Sequence, residues 1–195
     1  MRSTRRIVAL ATLTITLGLV AAPAGAAPAA PTATAAAAAA PYCGITWGSL
    51  PDVSGAYTGA LITNVRAGRH ACWDRLVVDL GPGPITGYDV RYVSQVTQDG
   101  SGAVVPLAGG ADIQVLVRAP GYNSYTGQPS YAPANPSQAV NVAGYTTFRQ
   151  VAWAGSFEGQ SLIGLGVRAR LPFRTFVLTN PGGGHRLVID VAHRW

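Results

Sequence analysis

The chain has 195 residues, with 14 arginines and no lysine against 8 acidic residues, for a formal net charge of +6. Arg2, Arg5 and Arg6 belong to a leader segment, so 11 − 8 leaves +3 on the remainder, with its arginines scattered along the sequence. A nucleic-acid partner calls for a basic stripe, which the sequence lacks, and charge alone would hold an anionic polymer weakly.

The leader has the build of a signal peptide. Its three arginines precede an uncharged apolar run, Ile7 to Val20, and Ala24-Gly25-Ala26 supplies the small residues of a cleavage site after Ala26. That run is too short and wrongly flanked for a membrane span. Arg5-Arg6 lacks the bulky residues that follow a twin-arginine pair, so Sec export is expected. No cysteine precedes Cys43, which leaves no lipid anchor at the cleavage site. Residues 27–40 are almost wholly Ala, Pro and Thr and read as a flexible tether. Residues 41–195 are then one domain with one core. The product is expected outside the cell, free or wall-associated.

Export places Cys43 and Cys72, the two cysteines of the chain, in an oxidising compartment. A disulfide is expected, tying the N-terminal segment to the first long strand. Closing a loop of some 30 residues contributes about 3–4 kcal/mol in the chain-entropy model.

From Ala60 on, apolar residues alternate in short runs between Gly/Pro turns, which indicates strands. Pro41 to Thr58 reads as turns. Strands are expected at Ala60–Val65, Cys72–Leu80, Tyr88–Val96, Val104–Leu107, Ile113–Val117, Phe148–Ala154, Leu162–Ala169, Phe173–Leu178 and Arg186–Ala192. Asp99-Gly100-Ser101-Gly102 and Asn180 to Gly184 read as hairpin turns, and Gly155 to Gly159 as a turn. No helical stripe appears. The fold class is mostly β, a sandwich of two antiparallel or mixed sheets.

Two of these strands echo each other. Arg75-Leu76-Val77-Val78-Asp79-Leu80 returns as Arg186-Leu187-Val188-Ile189-Asp190-Val191, 111 residues later. In an antiparallel pair with Val77 opposite Val188, Arg75 would face Asp190 and Asp79 would face Arg186. Each such pair contributes about 0.2–1 kcal/mol. The alternative places each copy in a different sheet.

Ala119 to Thr147 breaks the pattern. It carries no charge and four tyrosines, Tyr122, Tyr125, Tyr131 and Tyr145. Long loops in small domains are often functional. Aromatic faces stack on sugar rings while neutral side chains bond hydroxyls. Tyr122, Asn123, Tyr125, Gln128 and Tyr131 are therefore the candidate ligand-binding residues, unless the tyrosines only pack the loop onto a sheet. Trp47, Trp73 and Trp153 are expected in the core.

Catalysis finds little support. Glu158, the one glutamate, could pair with Asp74 or Asp190 for glycoside hydrolysis, yet nothing in the spacing asks for it. It is expected to stabilise its turn or pair with an arginine. His70, His185 and His193 lack ligand-like spacing, so no metal is expected. No motif calls for a cofactor.

The assembled motifs resemble a known family. His70-Ala71-Cys72-Trp73-Asp74-Arg75, Tyr88-Asp89-Val90-Arg91-Tyr92-Val93, Asp99 to Gly102, Ala154 to Gly159, Pro172-Phe173-Arg174 and Leu187 to His193 together resemble the AMIN-like domain of secreted actinobacterial proteins. The resemblance implies distant kinship to the AMIN domain, a two-sheet sandwich that accompanies cell-wall amidases and secretins. It implies a cell-envelope binding module and carries over no catalytic residue. The expected function is non-catalytic binding of peptidoglycan or another wall glycan. The alternatives are a protein–protein module that recruits a wall enzyme and, more remotely, a glycan hydrolase.

Overall fold

The computed structural model describes residues 40–84 and 87–195; the expected signal peptide and all but the last residue of the expected tether lie outside them. A 3-10 turn, Tyr42–Gly44, precedes β1 (Asp52–Ser54), β2 (Ile62–Arg69), β3 (Trp73–Pro82) and β4 (Tyr88–Val93). The chain continues through β5 (Val96–Thr97), β6 (Val104–Val105) and β7 (Ala111–Val117). It ends with β8 (Phe148–Phe157), β9 (Gln160–Val167), β10 (Phe173–Thr179) and β11 (Gly184–Ala192). One sheet has the order β1-β4-β7-β9-β8, the other β10-β11-β3-β2, and β5 and β6 form a separate hairpin. Each of these pairings is antiparallel.

The alternating residues meet in one core. Val90, Ile113, Val115, Val117, Ile163 and Leu165 from the first sheet pack with Leu76, Val78, Leu187, Ile189 and Val191 from the second. The fold is therefore the expected sandwich. Two local readings need correction. β1 lies within the stretch read as turns, because three residues are too few to display a period. The turn expected at Gly155 to Gly159 is shorter: β8 runs through a bulge at Trp153/Gly155 and on to Phe157. Only Glu158 and Gly159, with φ of 48° and 81°, make the two-residue hairpin loop that demands positive φ.

The two echoing strands are neighbours. β11 pairs with β3 with Val188 opposite Val77, Asp190 opposite Arg75 and Arg186 opposite Asp79. Arg75 grips Asp190 with a two-pronged fork, Nε and Nη2 lying 2.6 and 2.8 Å from the carboxylate oxygens. The second ion pair does not form. Asp79 instead accepts from Arg66 on β2, at 2.8 and 3.0 Å, and from Asn64. A bidentate partner on the other flanking strand outcompetes Arg186. The charge near the end of β11 does not reach water. Asp190 is 0% exposed, because Arg174 on β10 covers it from the far side with Nε at 2.9 Å.

The sheets differ on their outward faces. The β5–β6 hairpin lies over the five-stranded sheet, where Val96, Ala154 and Leu162 make a second small core with Val105, Leu107 and Leu116. Two glycines of β9 permit this approach. A Cβ on Gly166 would stand 2.1 Å from the Ala108 carbonyl oxygen, and one on Gly164 would meet Leu107 at 3.1 Å. The outward face of the four-stranded sheet carries arginines and aromatic rings instead.

Cys43 and Cys72 form the expected disulfide, their Cα atoms 6.2 Å apart. Replacing both with serine should lower the unfolding free energy by about 3 kcal/mol, the cost of freeing a loop this long in the unfolded chain. Urea denaturation of the two proteins measures it, and equal midpoints would refute the stapling role.

Candidate functional site

The uncharged loop builds a groove against the edge of the five-stranded sheet. At its start, the backbone of Gly121 lies on the Trp153 ring so closely that a Cβ would stand 2.8 Å from it. Gly121 N–H donates to Ser156 Oγ at 2.9 Å, and its carbonyl accepts from the amides of Ser130 and Tyr131. Ser130 Oγ donates to the Ile62 carbonyl at 2.7 Å, which pins the loop to β2 as well. Tyr131 then meets Trp153 edge to face, ring centroids 4.9 Å apart.

Between these anchors a bridge from Tyr122 to Pro129 closes a small excursion. Asn123 holds it from inside: its Oδ1 accepts from the amides of Tyr125 and Thr126 at 2.9 and 3.2 Å. The result is a cavity of about 410 Å³ whose walls include Tyr122, Pro129, Tyr131, Pro133, Trp153 and Ser156. No charged side chain lines it.

The five candidate residues thus divide. Tyr122 and Tyr131 line the groove. Tyr125 is 97% exposed and does not line it, and Gln128 is exposed outside its walls. Asn123 lends its side-chain oxygen to the turn rather than to a ligand. Farther on, the loop does pack: Ala139 donates to the Val151 carbonyl at the open edge of β8, and Tyr145 stacks on Phe148 at 5.9 Å. The packing expected of the loop is therefore seen in its second half, while its first half shapes the groove.

Of the three tryptophans expected in the core, Trp153 packs against it, whereas Trp47 and Trp73 do not. Trp153 is half-buried and forms a groove wall, since β8 is an edge strand with only the loop beyond it. Trp47 and Trp73 are half-buried on the outward face of the four-stranded sheet, at 5.7 Å from each other. Trp195 is exposed, its indole N–H donating to the Arg170 carbonyl.

The carboxylates considered for hydrolysis have other partners. Asp74, 0% exposed, accepts from the amides of Thr147 and Phe148 at 2.6 and 3.1 Å and from His193 Nε2 at 3.3 Å. It fixes the point where the loop rejoins the sheet. Asp190 is held by Arg75 and Arg174. Glu158 is exposed in its hairpin and, among the described residues, has neither the ion pair nor the turn hydrogen bond expected of it. The histidines have separate surroundings: His185 Nε2 donates to the Gly83 carbonyl, and His70 stacks on Trp73. Among the described residues, no three metal-ligating side chains gather.

The sequence matches the family model of the AMIN-like domain over residues 60–193. The chain belongs to the AMIN-like domain family. No curated protein and no solved structure matches it. The AMIN-like span contains the whole groove, together with Asp74 and Asp190. It leaves Cys43, Trp47 and β1 outside, so the disulfide joins the family domain to a preceding segment.

Burial raises the Tyr131 phenol above the ordinary tyrosine value of 10.0. A raised folded value means that this stabilisation is complete below about pH 10 and is lost as pH rises through the folded value. The tyrosinate absorbance missing from Tyr131→Phe should therefore titrate above 10.0. The stability advantage of the native protein over that variant should shrink across the same range. An ordinary midpoint would mean that the ring is not packed on Trp153 in solution.

Proposed function

We propose that this AMIN-like chain is an exported, non-catalytic module of the cell envelope, and that its groove takes a neutral stretch of wall glycan, with peptidoglycan as the first candidate. The observation that carries the reading is the groove itself. Tyr122, Tyr131 and Trp153 present aromatic surface in a cavity of about 410 Å³ with no charged wall. Sugars offer apolar ring faces to aromatic side chains and hydroxyls to neutral polar groups. The loop is anchored at Gly121, Ser130 and Asp74, so the site is largely formed before a ligand arrives.

Family membership supports an envelope setting, and a disulfide suits an oxidising compartment. The buried, fully engaged Asp74 and Asp190 favour binding over hydrolysis.

Co-sedimentation of the oxidised protein with purified peptidoglycan sacculi tests the proposal, at low and high salt. Binding should persist at high salt, because stacking is not screened. Tyr122→Ala should weaken it about tenfold, the scale of one aromatic contact of roughly 1–1.5 kcal/mol. Tyr125→Ala should change it less than about twofold, since Tyr125 stands outside the walls. No sedimentation, or equal losses in both variants, would overturn the assignment.

A further inference from the structure

We infer that the outward face of the four-stranded sheet is a second binding surface, for an acidic glycan, that is, a chain of sugars bearing carboxylates or phosphates. In sequence the arginines are scattered. Pairing brings four of them to one face: Arg174, Asp190 and Arg75 lie in one cross-strand row, Phe176, Val188, Val77 and Arg66 in the next. Leu178, Arg186, Asp79 and Asn64 form a third. Four arginines against Asp79 and Asp190 leave 4 − 2 = +2 on this face. Val77 and Val188 are buried here although they point away from the core, as expected where long arginine stems lie across a sheet.

The guanidinium groups are not all satisfied. Arg66 and Arg75 each grip a carboxylate through Nε and Nη2, which leaves Nη1 of each without one. The Arg186 side chain has no ion pair or hydrogen bond among the described residues, and its Nε is buried without an acceptor. Its two Nη groups are likewise without a partner but are not buried, and an anionic oxygen arriving from outside would bond them.

Aromatic rings flank the charges. Arg174 lies 4.3 Å from the Trp47 ring, 5.5 Å from Trp73 and 5.1 Å from Phe176. From the Trp73 end to the Arg186 row, opposite Asp79, the face runs about 20 Å along β3, the length of several sugar rings. Rings beside unsatisfied guanidinium suit a ligand with both a sugar plane and a negative group. A nucleic acid, which meets its binders through many phosphates, asks for more than this excess of charge.

The test uses the oxidised protein and three immobilised polymers at low salt: polygalacturonate, inorganic polyphosphate and neutral dextran. Polygalacturonate should bind best, and dextran least. Arg186→Gln should weaken it about tenfold, the scale of one charge-assisted hydrogen bond, with an unchanged melting temperature because that guanidinium has no partner to lose. Arg91→Gln makes the same charge change on the other sheet, where Arg91 pairs with Asp89, and should cost less than about twofold. Tyr122→Ala in the groove should have no effect. Equal losses in the two arginine variants would reduce the interaction to net charge and overturn the inference. So would tighter binding to polyphosphate, or no binding to polygalacturonate.

Discussion

The register between β3 and β11 is the constraint on which the domain depends. These strands occupy the middle of the four-stranded sheet, and a slip of one residue would turn Leu76, Val78, Leu187 and Ile189 outward. The fork between Arg75 and Asp190 marks the correct alignment, since a shifted pairing would leave a fully buried carboxylate without its partner. Buried ion pairs add little net stability compared with apolar contacts, but breaking one is costly. The pair therefore acts less as glue than as a penalty on misalignment. Asp74, on the opposite face of the same strand, then fixes where the loop returns to β8.

Much of this arrangement was legible in the sequence because a period of two is a local property. Ile113, Val115 and Val117 declare their buried side without reference to the rest of the chain. The β3–β11 pairing was legible for a different reason: two segments with complementary charges at matching positions define a register if they meet. What local pattern cannot supply is competition from third parties. Arg66 takes Asp79 and Arg174 joins Asp190, because β2 and β10 flank the pair. The arginine face was hidden for the same reason, since its members come from four strands whose spatial order is not their order in sequence. The groove was half visible. A stretch without charge and rich in tyrosine announced itself, but which tyrosines line the cavity depends on the Tyr122–Pro129 bridge and on Trp153, an aromatic on an edge strand.

The two sheets consequently divide the labour of the surface. One has its outward side covered by the β5–β6 hairpin and by Leu107 and Ala108 after it, which Gly164 and Gly166 admit. The other keeps charge and aromatic area facing solvent. Charged recognition on the open face would weaken with salt, whereas neutral stacking in the groove would not.

The disulfide also gives the molecule a polarity. Cys43 is bonded to Cys72, immediately before β3, so the described chain enters at that end of the sheet. The groove lies toward the opposite end, where Ile62 pairs with Leu80 and receives Ser130. Seven residues of extended strand separate the two, roughly 23 Å. Whatever holds the N-terminal side therefore pulls on one pole while the groove opens near the other. Tension along the chain would reach the sandwich at a covalent staple beside the loop's far anchor at Asp74, not at the Tyr122–Pro129 bridge that shapes the cavity.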